Sequence, residues 1–118
     1  MSDIKTYEYV WLDGFKPEPS MRSKIKATDE DSAPEWSFDG SSTEQAEGSS
    51  SDCLLLPVQT YENPTFSDYI VMCQVYAADH TVHPSNTRAA AEAVVTDDWW
   101  FGFEQEYFFT NKDGSPLG

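Results

Sequence analysis

The stretch Tyr7-Glu8-Tyr9-Val10-Trp11-Leu12-Asp13-Gly14 sets the start of the fold. Aromatic and β-branched residues dominate its first six positions, which is typical of a β-strand, and Asp-Gly is a turn signal that ends the strand. Pro17 and Pro19 keep the next stretch out of regular structure. In residues 21–27 basic side chains alternate with less polar ones, so we predict a second strand that forms a hairpin with the first.

Three further strands are predicted before the first helix. Residues 35–40 form a short aromatic segment that ends in a second Asp-Gly, and the small polar residues 41–52 indicate a flexible loop. Residues 53–58 are apolar and are predicted as a strand. Residues 69–76 are almost continuously hydrophobic, which predicts a central strand covered on both faces.

The hydrophobic period changes after residue 77. Pro84 and Ser85 are typical of a helix start, and the alanine-rich residues 88–95 favour a helix. Residues 99–109 are predicted as a long aromatic strand that ends at a turn over residues 111–114. This strand has no hairpin partner after it, so the sequence reads as if it were cut beyond the turn. Five strands, one helix and a sixth strand predict an α+β fold.

The composition limits the classes of partner. The chain has 118 residues, of which 39% are hydrophobic, and this is enough apolar material for a folded domain. Seven lysines and arginines oppose twenty-one acidic residues, and the net charge of −14 argues against binding to nucleic acid or to anionic membranes. Solubility, cation binding and mimicry of nucleic acid towards a basic partner remain as explanations of the acidity.

The two cysteines and the termini indicate a compartment. Cys53 and Cys73 each lie in an apolar run, so we expect buried free thiols, although a disulfide between neighbouring strands is an alternative. The polar N-terminus does not resemble a signal peptide, and no apolar run approaches membrane-spanning length. These features predict a protein of the reducing cytoplasm.

Glu104 and Glu106 form the first candidate site. On a strand, residues two apart point to the same face, so the two carboxylates would lie side by side in line with Trp100. Two close carboxylates repel each other, and a hard divalent cation such as Mg²⁺ or Mn²⁺ would offset that repulsion. The alternative is an edge strand whose acidic face simply points at water.

Two other patterns carry weaker signals. Asp39-Gly40-Ser41-Ser42 offers a carboxylate and two hydroxyls that can hold a small cation or ammonium, but it is equally an ordinary Asx-type turn. His80 and His83 have a spacing that metal sites use, yet they lie in a polar loop, so we expect surface histidines. Phosphate-binding glycine loops and serine nucleophile elbows are not found.

Four separated segments together resemble one family. They are Glu8-Tyr9-Val10-Trp11-Leu12-Asp13-Gly14, Trp36-Ser37-Phe38-Asp39-Gly40-Ser41-Ser42-Thr43 with Gln45-Ala46-Glu47-Gly48, Ser51-Asp52-Cys53 with Leu56-Pro57-Val58, and Trp100-Phe101-Gly102-Phe103-Glu104-Gln105-Glu106-Tyr107. Their order and approximate spacing are similar to the start of a type II glutamine synthetase, the eukaryote-like class that also occurs in bacteria. His83-Pro84-Ser85-Asn86 with Arg88 resembles the bacterial members.

The resemblance implies a reaction and a set of roles. The family joins ammonia to L-glutamate with ATP through a γ-glutamyl phosphate. By resemblance, Glu104 and Glu106 are ligands of Mg²⁺ or Mn²⁺, and Trp100 and Glu104 belong to the ATP site. Asp39 and Ser42 belong to a catalytic loop that reaches the active site of the adjacent subunit, where the Asp binds ammonium and helps to remove its proton. The resemblance thus implies a homo-oligomeric ring, commonly a decamer.

The same resemblance implies a β-grasp-type mixed sheet and a domain division. Residues 1–82 correspond to the N-terminal β-grasp domain, and residues 83–118 to the start of the catalytic domain, which is truncated after its first strand. The connection over residues 26–36 is shorter than in most members, and Gln74 stands where an acidic residue is expected.

We therefore expect the N-terminal portion of a glutamine synthetase that is inactive by itself. The remaining metal ligands, the glutamate-binding arginines and most of the ATP pocket would lie in sequence beyond this chain. The alternative is a stand-alone acidic β-grasp module that docks on a full-length synthetase ring or on a basic partner.

Overall fold

The computed structural model describes residues 3–118. Its elements in chain order are β1 Lys5–Leu12, β2 Met21–Thr28, β3 Trp36–Asp39, a 3-10 helix Gly40–Thr43, β4 Asp52–Glu62, β5 Tyr69–Ala77 and α1 Thr87–Glu92. The strands form one sheet in the order β2-β1-β5-β4-β3. β1 and β5 are parallel and the other neighbours are antiparallel, so the sheet is mixed as expected of a β-grasp-type fold.

The predicted hairpin between the first two strands is confirmed. β1 pairs antiparallel with β2 from Lys5 opposite Thr28 to Leu12 opposite Met21. Asp13 closes the connection, because its N–H donates to the Ser20 carbonyl and its carboxylate accepts from the Ser20 N–H. The register therefore follows from a long, hydrogen-bonded loop rather than from a two-residue turn.

The core lies on one face of the sheet. Alternation along β1 sends Tyr7, Tyr9 and Trp11 to that face, where they meet Phe38 of β3 and Leu55 of β4. Loop residues rather than a helix cover this face. The Tyr7 hydroxyl donates to the Glu30 carbonyl, and the Tyr9 hydroxyl donates to the Pro34 carbonyl. Buried tyrosines thus satisfy their polar ends on the covering loop.

β4 and β5 differ from expectation in length and in burial. β4 runs on to Glu62 because it stays paired with β5 beyond a register shift between Pro57 and Gln59. β5 is the central strand, as predicted, but only its Val71 and Val75 face is buried, and Met72 on the other face is exposed. The prediction that both faces are covered is wrong for the described residues.

The C-terminal part of the chain departs most from the prediction. α1 ends at Glu92 rather than near residue 95, and none of its residues is buried. Residues 93–118, here named the C-terminal segment, are all exposed. The strand predicted over residues 99–109 does not form, since an aromatic stretch becomes a strand only where another strand pairs with it.

The chain is correspondingly extended. Its radius of gyration is 17.5 Å, whereas a compact domain of this length has about 13 to 14 Å. In the described part of the chain no helix has the length and apolarity needed to span a bilayer.

Candidate functional site

Asp39 and Ser42 share one tight turn at the end of β3. The Asp39 Oδ1 atom accepts a hydrogen bond of 2.9 Å from the Ser41 N–H and one of 2.6 Å from the Ser41 hydroxyl, which caps the 3-10 helix. The Ser42 hydroxyl donates to the Asp39 carbonyl at 3.3 Å. The Asx-type geometry expected for this motif is thus present, and it leaves Asp39 and Ser42 exposed at the tip.

Backbone hydrogen bonds to neighbouring residues hold the Asp39 turn in place. The Gly40 carbonyl accepts from the N–H groups of Gln45 (2.9 Å) and Ala46 (3.1 Å), and the Gly14 N–H donates to the Thr43 carbonyl (2.8 Å). Thr43 and Gln45 are buried. The stretch that we expected to be a flexible loop therefore begins as an ordered turn.

Two glycines allow the close approach of backbones that this turn needs. A Cβ atom on Gly14 would lie 2.2 Å from the Glu44 carbonyl oxygen, and one on Gly40 would lie 2.7 Å from the Cys53 Sγ atom. Real Cβ atoms essentially never approach other atoms this closely, so a side chain at either position would force its neighbours to shift. The glycines of the two Asp-Gly pairs are thus required by packing, in addition to being turn signals.

The charge of Asp39 follows from its hydrogen bonds. The side-chain and backbone donors of Ser41 lower the pKa of the Asp39 carboxyl, and they outweigh the opposing effect of desolvation. An exposed, ionised carboxylate at the tip of a fixed turn can attract a small cation. Since its pKa is lowered, the carboxyl stays ionised at neutral pH.

The sequence identified Asp13 only as a turn residue and did not reveal its buried ion pair with Arg22. Its side chain is fully buried, and its Oδ2 atom accepts a 2.9 Å hydrogen bond from the Nε of Arg22. Burial raises the pKa of Asp13, but hydrogen bonds from Ser20, Arg22 and Phe15 outweigh this, and the pKa lies below its usual value. Nothing in the local pattern singles out Arg22 as the partner, because Lys16 is the nearer basic residue.

The two histidines behave differently from each other. His80 is exposed, as expected, and its Nε2 lies 3.1 Å from the Glu35 carboxylate. His83 is half-buried, and both of its ring nitrogens contact other residues, Nε2 the Gln45 carbonyl and Nδ1 the Ser85 hydroxyl. The expectation of a surface histidine is wrong for His83, and no metal-type pairing of the two rings is formed.

The residues around His83 form a polar cluster that the sequence did not reveal. The Gln45 side-chain amide donates to the Leu12 carbonyl at 3.1 Å and to the Ser85 hydroxyl at 2.9 Å. Asn86 caps α1 and donates to the Val75 carbonyl at 3.0 Å. Gln74, which replaces the expected acidic residue, accepts from Asn86 at 3.3 Å. An uncharged side chain at this position thus joins the cluster.

The other candidate residues lie in the C-terminal segment. Trp100, Glu104 and Glu106 are exposed and belong to no strand, so the side-by-side placement of the two carboxylates on a strand face is not formed in this structure. Carboxylate oxygens have the donor chemistry that Mg²⁺ and Mn²⁺ prefer. Within residues 3–118, however, no three acidic, histidine or cysteine side chains converge to hold a metal ion.

Both cysteines are free thiols, as expected. Cys53 is buried, and Cys73 is partly buried on the neighbouring strand. Burial raises the pKa of the Cys73 thiol to about 12, so it is an inert thiol at neutral pH.

Comparison with known proteins gives the relationship of the chain. Residues 3–78 match the family described as the glutamine synthetase beta-Grasp domain. The chain is 49% identical over 121 residues to a glutamine synthetase of Bradyrhizobium diazoefficiens, an alignment that covers 94% of this chain and 34% of that protein. It is 48% identical to a glutamine synthetase of Streptomyces viridochromogenes, with 94% of this chain and 35% of that protein covered. A chloroplastic glutamine synthetase of Chlamydomonas reinhardtii is 43% identical, with 93% and 34% covered.

The chain spans about a third of the length of the curated relatives that it matches. The match to the family covers residues 3–78, which include β1 to β5, the Asp39 turn and the buried Asp13. The mixed sheet with one helix agrees with this assignment. The chain therefore belongs to the glutamine synthetase beta-Grasp domain family.

Proposed function

We propose that this chain provides the ammonium-facing part of a type II glutamine synthetase, which joins ammonia to L-glutamate with ATP through a γ-glutamyl phosphate. One observation carries the proposal: a hydrogen-bonded turn holds the Asp39 carboxylate exposed and ionised. Similarity to glutamine synthetases of bacteria and of a green alga supports the eukaryote-like class.

Asp39 has the properties that the ammonium step needs. A negative charge at the tip of a fixed turn attracts the ammonium cation, and a carboxylate oxygen accepts the proton that must leave before the nitrogen can attack. Its lowered pKa keeps the carboxylate ionised at neutral pH, the form that attracts the cation. The Ser42 hydroxyl donates its proton to the Asp39 carbonyl, and its oxygen can accept a hydrogen bond from a bound molecule.

The C-terminal segment supplies the second set of residues. Glu104 and Glu106 would hold a Mg²⁺ or Mn²⁺ ion, and Trp100 and Glu104 would contact ATP. When bound, the metal ion supplies neutralisation of phosphate charge. The chain's own contribution is two oxygen-donor side chains, so its affinity for the ion by itself is expected to be weak.

The division at residue 82, the ring assembly and the compartment are parts of the same proposal. In the described part of the chain, the Asp39 turn is folded without contact to the C-terminal segment. Active sites formed between neighbouring subunits would explain this, because the Asp39 turn would then meet the C-terminal segment of another subunit. Free buried thiols support the cytoplasm as the compartment. No role at nucleic acid or at a membrane is proposed.

The test uses a hybrid enzyme. The part of the Bradyrhizobium diazoefficiens glutamine synthetase that matches this chain is replaced by residues 3–118, and steady-state glutamine formation is measured with ammonium, glutamate and ATP varied separately. The variant Asp39→Asn is expected to lose on the order of 100-fold in kcat/KM for ammonium, because it removes both the charge and the proton acceptor.

Asp79→Asn is the matched control. Asp79 accepts from the Thr81 N–H (3.0 Å) and hydroxyl (2.6 Å), which repeats the local geometry of Asp39 and Ser41 at a different turn. This variant should keep the activity of the hybrid. Equal ammonium kinetics for Asp39→Asn and Asp79→Asn would refute the proposed role of Asp39.

The unmodified 118-residue chain should form no glutamine. It contains the Asp39 turn and two of the metal-binding carboxylates, which is too little to bind three substrates. Measurable glutamine formation by the purified chain would show that this part of the proposal is wrong. Tight binding of the chain to an intact synthetase ring would favour the stand-alone docking module instead.

A further inference from the structure

We propose that His83 is a positioning residue for the Asp39 turn. Its ring holds Gln45 against residues 83–86, here named the lead-in to α1, and Gln45 holds the Asp39 turn in place. The contacts of His83 and Ser85 with Gln45 are here named the clamp. The inference rests on the proposed function of Asp39, but the clamp itself can be measured without any activity. It assigns a role to a histidine that the ammonium step does not use directly.

The hydrogen bonds around His83 point to one tautomer of its ring. The Ser85 N–H donates to Nδ1 at 3.1 Å, so Nδ1 carries no proton. Nε2 contacts the Gln45 carbonyl, which can only accept, so Nε2 carries the proton. The ring is therefore the neutral tautomer protonated at Nε2.

Ser85 completes the clamp. Its hydroxyl oxygen accepts from the Gln45 side-chain amide at 2.9 Å, so the hydroxyl proton is available for Nδ1 at 2.8 Å. Gln45 is thus held at two points, its backbone carbonyl by His83 and its side-chain amide by Ser85. A neutral histidine can donate from one ring nitrogen and accept at the other, so it binds the Gln45 carbonyl and Ser85 at once. A side chain with a single donor cannot do this.

The clamp reaches Asp39 through the backbone. Gln45 and Ala46 donate their N–H groups to the carbonyl of Gly40, the residue next to Asp39. Movement of Gln45 would therefore shift the first residue of the 3-10 helix. The capping hydrogen bonds between Asp39 and Ser41 depend on that helix remaining in place.

The other end of the clamp is fixed to the sheet. Asn86 follows Ser85 directly and donates to the Val75 carbonyl of β5 at 3.0 Å. The lead-in to α1 is thus fastened to the central strand, and the Asp39 turn is fastened to the lead-in. His83 thus connects the Asp39 turn, through Gln45, to the segment before α1 and to the central strand.

The first experiment reads the tautomer in the intact 118-residue chain. Long-range ¹H–¹⁵N NMR of the histidine rings at pH 7 should show His83 protonated at Nε2 and unprotonated at Nδ1. His80, which is exposed, serves as the internal comparison. A His83 ring protonated at Nδ1, or charged at both nitrogens, would overturn the clamp even if every His83 variant failed to fold.

The second experiment measures hydrogen exchange of the turn amides. His83→Ala should accelerate exchange of the Gln45 and Ala46 N–H groups by about five- to thirtyfold, the range that corresponds to losing one or two hydrogen bonds. Amides of β5 should keep their rates. His83→Gln, which retains a side-chain N–H donor, should restore much of the protection, and His80→Ala should change nothing. Unchanged turn amides in His83→Ala would overturn the proposal.

Activity of the hybrid enzyme then separates this inference from the proposed function. His83→Ala should raise the KM for ammonium several-fold and leave the KM for glutamate unchanged, with partial rescue by His83→Gln. If Asp39→Asn is fully active while the exchange result holds, the proposed function fails and the clamp stands. If Asp39→Asn is inactive while the turn amides of His83→Ala are unaffected, the clamp fails and the proposed function stands.

Discussion

In β1, Tyr7, Tyr9 and Trp11 are between 0% and 5% exposed, whereas Trp100, Phe103 and Phe108 of the C-terminal segment are between 92% and 99% exposed. Both stretches are rich in aromatic residues and both satisfy the sequence criteria for a strand. β1 has a strand on each side of it, and the C-terminal segment has none within the described residues. The difference teaches that burial is decided by available partners and not by aromatic content.

The largest expected difference comes from two phenylalanines. Phe38 packs on Trp11 with ring centroids 4.7 Å apart in the core, and Phe103 lies in the C-terminal segment. Phe38→Ala should lower the free energy of unfolding by about 3 to 5 kcal/mol, because it leaves a cavity. Phe103→Ala should change it by less than about 0.5 kcal/mol. Urea titration followed by circular dichroism measures both, and a comparable loss in Phe103→Ala would show that the C-terminal segment is packed after all.

Two glycines give the next contrast. Gly14→Ala would place a methyl group 2.2 Å from the Glu44 carbonyl oxygen, whereas the same change at Gly48 meets no atom within 4 Å. We expect Gly14→Ala to cost about 1 to 3 kcal/mol of stability, as overpacking does. Gly48→Ala should be neutral or slightly stabilising. If the two variants unfolded at the same temperature, the close approach of Gly14 to the Glu44 carbonyl would not matter for stability.

Acid should act on the packed region through Asp13. The folded-state pKa of Asp13 lies below its ordinary value of 3.8, so its contribution to stability is complete above that value and is lost as the pH falls through the folded-state pKa. Unfolding free energies from pH 7 to pH 3 should therefore fall less steeply in Asp13→Asn than in the original chain.

Asp113 is the control for the acid experiment. Its pKa is also lowered, first by the Ser115 hydroxyl, but it lies in the C-terminal segment. Asp113→Asn should leave the acid dependence of cooperative unfolding unchanged. An altered slope would mean that the turn around Asp113 unfolds together with the sheet.

The smallest effect is expected at α1. Arg88 and Glu92 form an exposed ion pair of 2.8 Å at helical spacing four, and such pairs contribute about 0.3 to 0.5 kcal/mol. Arg88→Ala should change thermal stability by no more than this. Arg22→Ala should cost distinctly more, since it leaves the buried Asp13 without its cation. A large effect of Arg88→Ala in differential scanning calorimetry would show that α1 belongs to the cooperative unit.

Local pattern was enough for the elements of the packed region. The alternation in β1 and β2 predicted strands because successive side chains of a strand point to opposite faces. The apolar runs of β4 and β5 predicted strands by their continuous hydrophobicity. The Asp39 turn was also visible as an Asp-Gly-Ser-Ser motif. Roles for Asp39 and Ser42 came from resemblance, and the geometry supports them without testing them.

Long-range contacts were not visible in the sequence. Gln45 and His83 lie 38 residues apart, and nothing in the local pattern indicates that their atoms meet. The strand predicted over residues 99–109 failed for the opposite reason, since its pattern is right but no strand in the described part of the chain pairs with it. Its Glu104 and Glu106 stay candidates for a metal site on the strength of resemblance.

The sequence by itself determined the strand-forming segments, the position of the turns and the membership of the glutamine synthetase beta-grasp family, because these depend on residue type and near-neighbour spacing. Only the tertiary structure decided that Asp13 is a buried ion-pair partner, that His83 contacts Gln45 and Ser85 and that the C-terminal aromatics remain exposed. These features depend on which distant groups meet, and hydrogen bonding and burial are properties of the assembled pair and not of either residue alone.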